Sequence, residues 1–173
     1  MVLPPAVAGI ALLMAFGRRG VVGSYLSELG IDLAFSPMAV VLAQLFVAAP
    51  FYIKSSVTAF AKIEREIEEA ATLDGASAWR VFRHITLPLA LPVLFSGAIM
   101  TWARALGEFG ATIIFAGNFP GRTQTMPLAI YLGFEMDLGI ALTLAVILLT
   151  VSFSVLGIVK GVLRERVGAV QHT

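Results

Sequence analysis

Residues 37–60 read PMAVVLAQLFVAAPFYIKSSVTAF, and this run decides what kind of chain it belongs to. It holds one amide, Gln44, and no charge before Lys54. A helix rises about 1.5 Å per residue, so about 20 apolar residues cross a hydrocarbon layer of about 30 Å. A helix on the surface of a soluble domain keeps a polar face along its length, and this run has none. It therefore predicts a membrane-spanning helix, with the Lys54 stem reaching back to the interface.

Two further segments read the same way. Residues 88–106, PLALPVLFSGAIMTWARAL, form a second span, with Pro88 and Pro92 in its first turns, where a missing N–H is tolerated. Residues 138–163 form the third, without a charge before Lys160. Gly157 and Gly161 lie four apart within it, a small-residue step read as local packing in one subunit rather than a dimer seam. An earlier run, residues 2–16, has only 15 apolar residues, roughly 22 Å as a helix, and stops at Gly17-Arg18-Arg19-Gly20. A secretory signal is the rival reading of it. No Lys or Arg precedes the run and no small-x-small cleavage site follows, so it is expected to be a transmembrane helix whose beginning has been cut off. Residues 109–116 and 126–134 are apolar but too short to cross alone, and are expected to be a helix extension or short helices in the outer leaflet.

Composition agrees. Of 173 residues, 58% are hydrophobic and 13% charged, and the mean hydropathy is +0.91. That is too apolar for a domain with a water-facing surface. A net charge of +1 leaves no basic surplus for nucleic acid. With no Cys, disulfides, thiolate metal sites and thiol nucleophiles are ruled out. The fold class expected is an all-α, polytopic membrane protein.

Charge location sets the orientation through the excess of Lys and Arg in cytoplasmic loops. Lys54, Lys62, Arg65, Arg80 and Arg83 fall between Lys54 and His84, and Lys160, Arg164 and Arg166 in the tail. These eight are placed on the cytoplasmic side. Two spans separate the loop from the tail, so the parity is consistent. The outer segments keep only Arg18, Arg19 and Arg122, and the Arg18-Arg19 pair fits the rule least well.

The cytoplasmic loop, residues 61–87, contains two short helices. Ile63, Ile67, Ala70 and Ala71 recur at helical spacing, and Glu64, Glu66, Glu68 and Glu69 load the early turns, where the helix dipole favours carboxylates. Asp74-Gly75 interrupts, Gly being the residue that accepts the left-handed conformation at a helix end. Ser77 is placed to cap the second helix, with Trp79 and Phe82 on one face and Arg80 and Arg83 on another. A charged loop of this size is ordinarily only solvated. Here Glu69-Ala70-Ala71, three residues, Gly75, nine residues, then Ile85-Thr86-Leu87-Pro88 resembles the EAA signature of ABC importer permeases at each defined position.

That resemblance implies a type I importer permease bundle in the prokaryotic cytoplasmic (inner) membrane, with the loop and the C-terminus cytoplasmic. Glu69, Ala70, Ala71, Asp74, Gly75, Ile85, Leu87 and Pro88 would then dock on a separate ATPase subunit. The small side chains of Ala70 and Ala71 let the helix seat in a groove, Gly75 permits a tight reversal, and Glu69 sets register. The chain has no Gly-x-x-x-x-Gly-Lys-Ser/Thr phosphate loop, so the motor that holds ATP and Mg is expected to be a separate chain or a domain lost from this one, and this chain is expected to bind no cofactor and to be no enzyme. A second copy of the permease, giving a homodimer, an extracytoplasmic oxyanion-binding protein and the lipid bilayer complete the implied partners.

Residues 102–131, WARALGEFGATIIFAGNFPGRTQTMPLAIY, resemble molybdate permeases and, less closely, sulfate permeases. Residues 103–112 and 117–123 carry the likeness, which with the loop extends from Met38 to the tail. It implies a tetrahedral oxyanion as cargo, molybdate before tungstate or sulfate. Arg104 and Glu108, four apart, are read as a structural pair on one helical face near the outer end of a span. The alternative is a place in the substrate pathway, disfavoured because a bare guanidinium would hold a dianion too tightly to release it. Phe119-Pro120-Gly121-Arg122 has the residues of a turn, either a plain connector or a contact for a substrate-delivering protein. A proton- or sodium-coupled carrier would place Asp or Glu near the centre of a span, and none lies there. A channel would have no use for the docking signature, and a bare scaffold would need only the hydropathy. Permeases of this kind carry at least five spans, so upstream residues are expected to be absent.

Overall fold

The computed structural model describes residues 3–170, with side chains for residues 3–157. Val2, which opens the first apolar run, the side chains of Lys160, Arg164 and Arg166, and the surroundings of Gly161 lie outside what is described. Among those residues every regular element is a helix: α1 (Pro5–Phe16), α2 (Gly23–Glu28), α3 (Pro37–Ala61), α4 (Arg65–Leu73), α5 (Ala78–Val81), a π turn (Phe82–Thr86), α6 (Leu87–Leu106), α7 (Gly110–Phe115), α8 (Met126–Met136) and α9 (Leu138–Val170). Three stretches are long and apolar enough to cross a membrane, Pro37–Ala61, Ala78–Leu106 and Leu138–Gly157.

The second of these departs from the sequence expectation. The helix does not start at Pro88. It begins at Ala78 and runs through the π turn into the apolar segment. Pro88 supplies the physical reason. Its ring removes a donor and crowds the carbonyl four residues back, which strains a regular α-helix. In the turn just before it, the Leu87 N–H bonds to the Phe82 carbonyl, five residues back instead of four. Pro92 likewise lies inside α6 and Pro50 inside α3, each without ending its helix.

The chain divides into two compact units. The first takes the stretch ending at Pro50 together with Trp102–Val155. Its core is built largely of small residues, Ala8, Ala39, Ala43, Ala111 and Ala116, with Leu12, Val47 and Phe115. Lipid tails are as apolar as Leu, so burial alone does not drive helices together in a bilayer; close packing does, and small side chains permit it. Gly9 on α1 faces α7 so closely that a Cβ there would lie 2.9 Å from Ile114 Cβ and 3.0 Å from Ala111 Cα. The short α1 is thus a packing partner of α7, a role its hydropathy does not disclose. The segments expected to be short helices are α7 and α8. Ala111, Thr112 and Phe115 of α7 are buried.

The second unit comprises Phe51–Thr101 with the chain after Val155. Here Gly97 of α6 sits directly against Ser55 of α3, leaving no room for a side chain. This unit carries the hairpin formed by α4, α5 and the π turn.

Candidate coupling hairpin and buried ion pair

Four backbone hydrogen bonds explain why the chain reverses where it does. The Asp74 N–H donates to the Ala70 carbonyl (3.1 Å), Gly75 N–H to Thr72 (3.0 Å) and Ala76 N–H to Ala71 (3.1 Å), which together make a Schellman closure of α4. Gly75 takes φ of +86°, a conformation that L side chains rarely adopt. Ala78 then opens α5, and the Val81 N–H reaches the Ser77 carbonyl at 3.0 Å. Ser77 occupies the capping position in extended backbone, but its side chain makes no capping bond, so this expectation is corrected. The capping carbonyl alone starts the helix.

Side chains hold the hairpin closed. The Thr86 hydroxyl donates to the Glu68 carboxylate, tying the end of the π turn back to α4. Trp79 stacks on Phe82 with centroids 5.8 Å apart. Only Val81 of the short α5 is buried, and α4 buries none of its residues. The hairpin therefore presents Leu73 at 89% and Trp79 at 65% exposure, beside the exposed Ile67 and Phe82. An amphipathic helix without a cover for its apolar face is built to be covered by something else. Glu69, Ala70, Asp74, Gly75 and Pro88 are exposed; Ala71, Ile85 and Leu87 are half-buried. The sequence does not single out Glu68 from its neighbours. Among four closely spaced glutamates, only the folded hairpin shows which one meets Thr86, and Glu69 makes no hydrogen bond or ion pair among the described residues.

Arg104 and Glu108 do come together. Nη1 of Arg104 is 3.0 Å from Oε2 of Glu108. They do not share one helix face, because α6 ends at Leu106 and Glu108 lies beyond it. Glu108 is 1% exposed, and its Oε1 accepts the Ala111 N–H at 2.9 Å, in the first turn of α7. Oε2 has no aligned hydrogen bond, so its contact with Arg104 is one of charge rather than of a directed bond. The pair links the end of one helix to the start of the next, in a place where a lone carboxylate would be costly.

A second ion pair lies between α1 and α3. Arg18 Nη2 donates to Asp32 Oδ2 at 2.8 Å, and the Ser27 hydroxyl donates to Oδ1 at 3.1 Å. Arg18, the residue that fitted the charge rule least well, thus has a counterion. The Arg18 guanidinium first, and Ser27 second, hold the Asp32 carboxyl below its ordinary value. A lowered carboxyl pKa means that the tie is present above the unfolded value and is lost as pH falls through the lowered one. Both groups are well exposed, so its contribution to stability is small. In a carbon NMR titration the Asp32 midpoint is expected to rise towards the ordinary value in R18Q, and an unmoved midpoint would show that Arg18 is not the cause.

Comparison with known proteins places these features. The family described as binding-protein-dependent transport system inner membrane component matches residues 1–166. A probable transport system permease protein, NifC, of Clostridium pasteurianum is 42% identical over 165 residues, 95% of this chain and 58% of the relative. The molybdenum transport system permease protein ModB of Mycobacterium bovis is 47% identical over 152 residues, 88% of this chain and 58% of the relative. A probable sulfate transport system permease protein, cysT, of Chlorella vulgaris is 36% identical, covering 89% of this chain and 59% of the relative. The chain thus spans less than two thirds of the length of the relatives it matches. With a match across 166 residues and three helices of membrane-crossing length, this integral membrane chain belongs to the family of binding-protein-dependent transport system inner membrane components.

Proposed function

We propose that this chain is the membrane-spanning permease of an ATP-driven importer for a tetrahedral oxyanion, molybdate first. The observation that carries the reading is the α4–α5 hairpin, a rigidly closed reversal whose apolar face is left uncovered beside the exposed Glu69. In a chain of this family such a face suits a motor subunit. The motor binds ATP and Mg, and its closure moves the hairpin and, through the continuous Ala78–Leu106 helix, the membrane-spanning part. The docked α5 and the span belong to one continuous helix, so displacement of the first is passed along the backbone to the second. This subunit itself does no chemistry. It works in the cytoplasmic (inner) membrane, hairpin on the cytoplasmic side, as one of two permease copies served by an external oxyanion-binding protein.

Molybdate ranks first because the relative named for molybdenum is more similar than the one named for sulfate. The test is ATP-dependent uptake of labelled molybdate by the reconstituted complex, with tungstate and sulfate as competitors. About a tenfold excess of sulfate is expected to leave most molybdate uptake intact, because selectivity is a difference between two affinities. Sulfate outcompeting molybdate would reverse the order, and absence of uptake of all three would overturn the reading.

A further inference from the structure

The first unit contains a cleft of about 460 Å³ that the mechanism above does not use, lined by Arg18, Asp32 and Arg122 and walled by Leu13, Phe35 and Phe119. Its parts are rigidly placed. The Phe119 carbonyl accepts the N–H groups of Arg122 (3.0 Å), Thr123 (2.9 Å) and Gln124 (3.1 Å), while the Phe119 N–H donates to the buried Thr123 hydroxyl. Gly121, at φ +71°, completes the turn that fixes Arg122. Phe35 has φ of 60°, a costly conformation for a large side chain, and is held there by its N–H bond to the Phe115 carbonyl at 3.1 Å. Its ring meets Phe119 edge-on with centroids 6.3 Å apart. Arg18 is neutralised by Asp32, whereas Arg122 makes no ion pair among the described residues. The two loops assigned to the outer side by charge meet at this one place.

We propose that this cleft receives a loop of the external binding protein, presenting an acidic side chain to Arg122 and an apolar one to Phe35 and Phe119. The inference rests on the importer reading and names the contact residues for that partner. A carboxylate with an apolar neighbour matches one uncompensated guanidinium beside two half-open aromatic rings. A bare tetrahedral oxyanion does not. It would fill a small part of the cleft and would face aromatic carbon where it needs donors.

The test uses the intact permease–ATPase complex in nanodiscs and the binding protein that sustains its uptake, with affinity read by biolayer interferometry at two salt concentrations. R122E is expected to weaken binding roughly tenfold, with slower association and a flatter salt dependence, while R122K keeps most of the affinity. ATP hydrolysis without the binding protein should be unchanged. Wild-type affinity and salt dependence in R122E would overturn the inference while leaving the importer reading intact. So would direct binding of molybdate alone that R122E abolishes without altering protein affinity, which would make the cleft an anion subsite. A wild-type complex that neither transports nor binds any such protein would overturn both.

Discussion

Replacing Gly75 by Trp is expected to reduce ATP-driven uptake by roughly tenfold or more while leaving the protein inserted and assembled, the size of effect that loss of coupling between sites produces. The geometry separates the two consequences. A Cβ at Gly75 meets nothing within 4 Å, so the new side chain leaves the backbone into open space at the tip of the hairpin. The backbone, however, stands at φ +86°, where a non-glycine residue costs about 1–3 kcal/mol. Relief of that strain opens the α4 closure, and the new bulk stands on the exposed side of the reversal. G75A separates strain from bulk, because it carries the first without the second, and an intermediate loss is expected. Uptake assays in proteoliposomes, with ATPase retention measured on the same samples, check both variants. Unchanged transport by the Trp variant would remove the hairpin from the coupling path.

The second large effect concerns Glu108. Truncation to Ala leaves the Arg104 guanidinium without its counterion and the Ala111 N–H without its acceptor. Breaking a buried pair in this way costs about 3–5 kcal/mol, and Arg104 at 31% exposure points to the lower end. Thermal unfolding in detergent should show a clear drop for E108A and a smaller one for E108Q, which keeps an acceptor for Ala111. The same residues decide between the two readings of Arg104. If the pair is structural, R104Q lowers the melting temperature and leaves the uptake KM in place. A raised KM at unchanged stability would put Arg104 in the substrate path.

Much of the hairpin was legible because its residues act locally. Positive φ at a helix end selects Gly, so Gly75 marks the reversal in the sequence as plainly as in the fold, and Trp79 and Phe82, three apart on a helix, meet as that spacing requires. Contacts between distant segments carried no such signal. Gly9 against Ala111, the Thr86 bond to Glu68 and the Phe35–Phe119 walls depend on which helices meet, and hydropathy is silent on that. The π turn has no signal of its own in the sequence: Pro88 reads equally well as the start of a helix, and only the fold shows the five-residue bond in the turn before it.

The run quoted at the outset, residues 37–60, determined by itself that the chain is helical and crosses a membrane, because a bilayer demands an apolar stretch of set length and internally satisfied backbone. The structure extends that helix by one residue, to Ala61, and accepts Pro50 within it. Only the tertiary structure decided that Glu108 is buried between two helix ends and that Arg18, Asp32 and Arg122 line one cleft. The reason is physical: spans are set by the solvent that each residue meets, whereas sites are set by neighbours brought together from far along the chain.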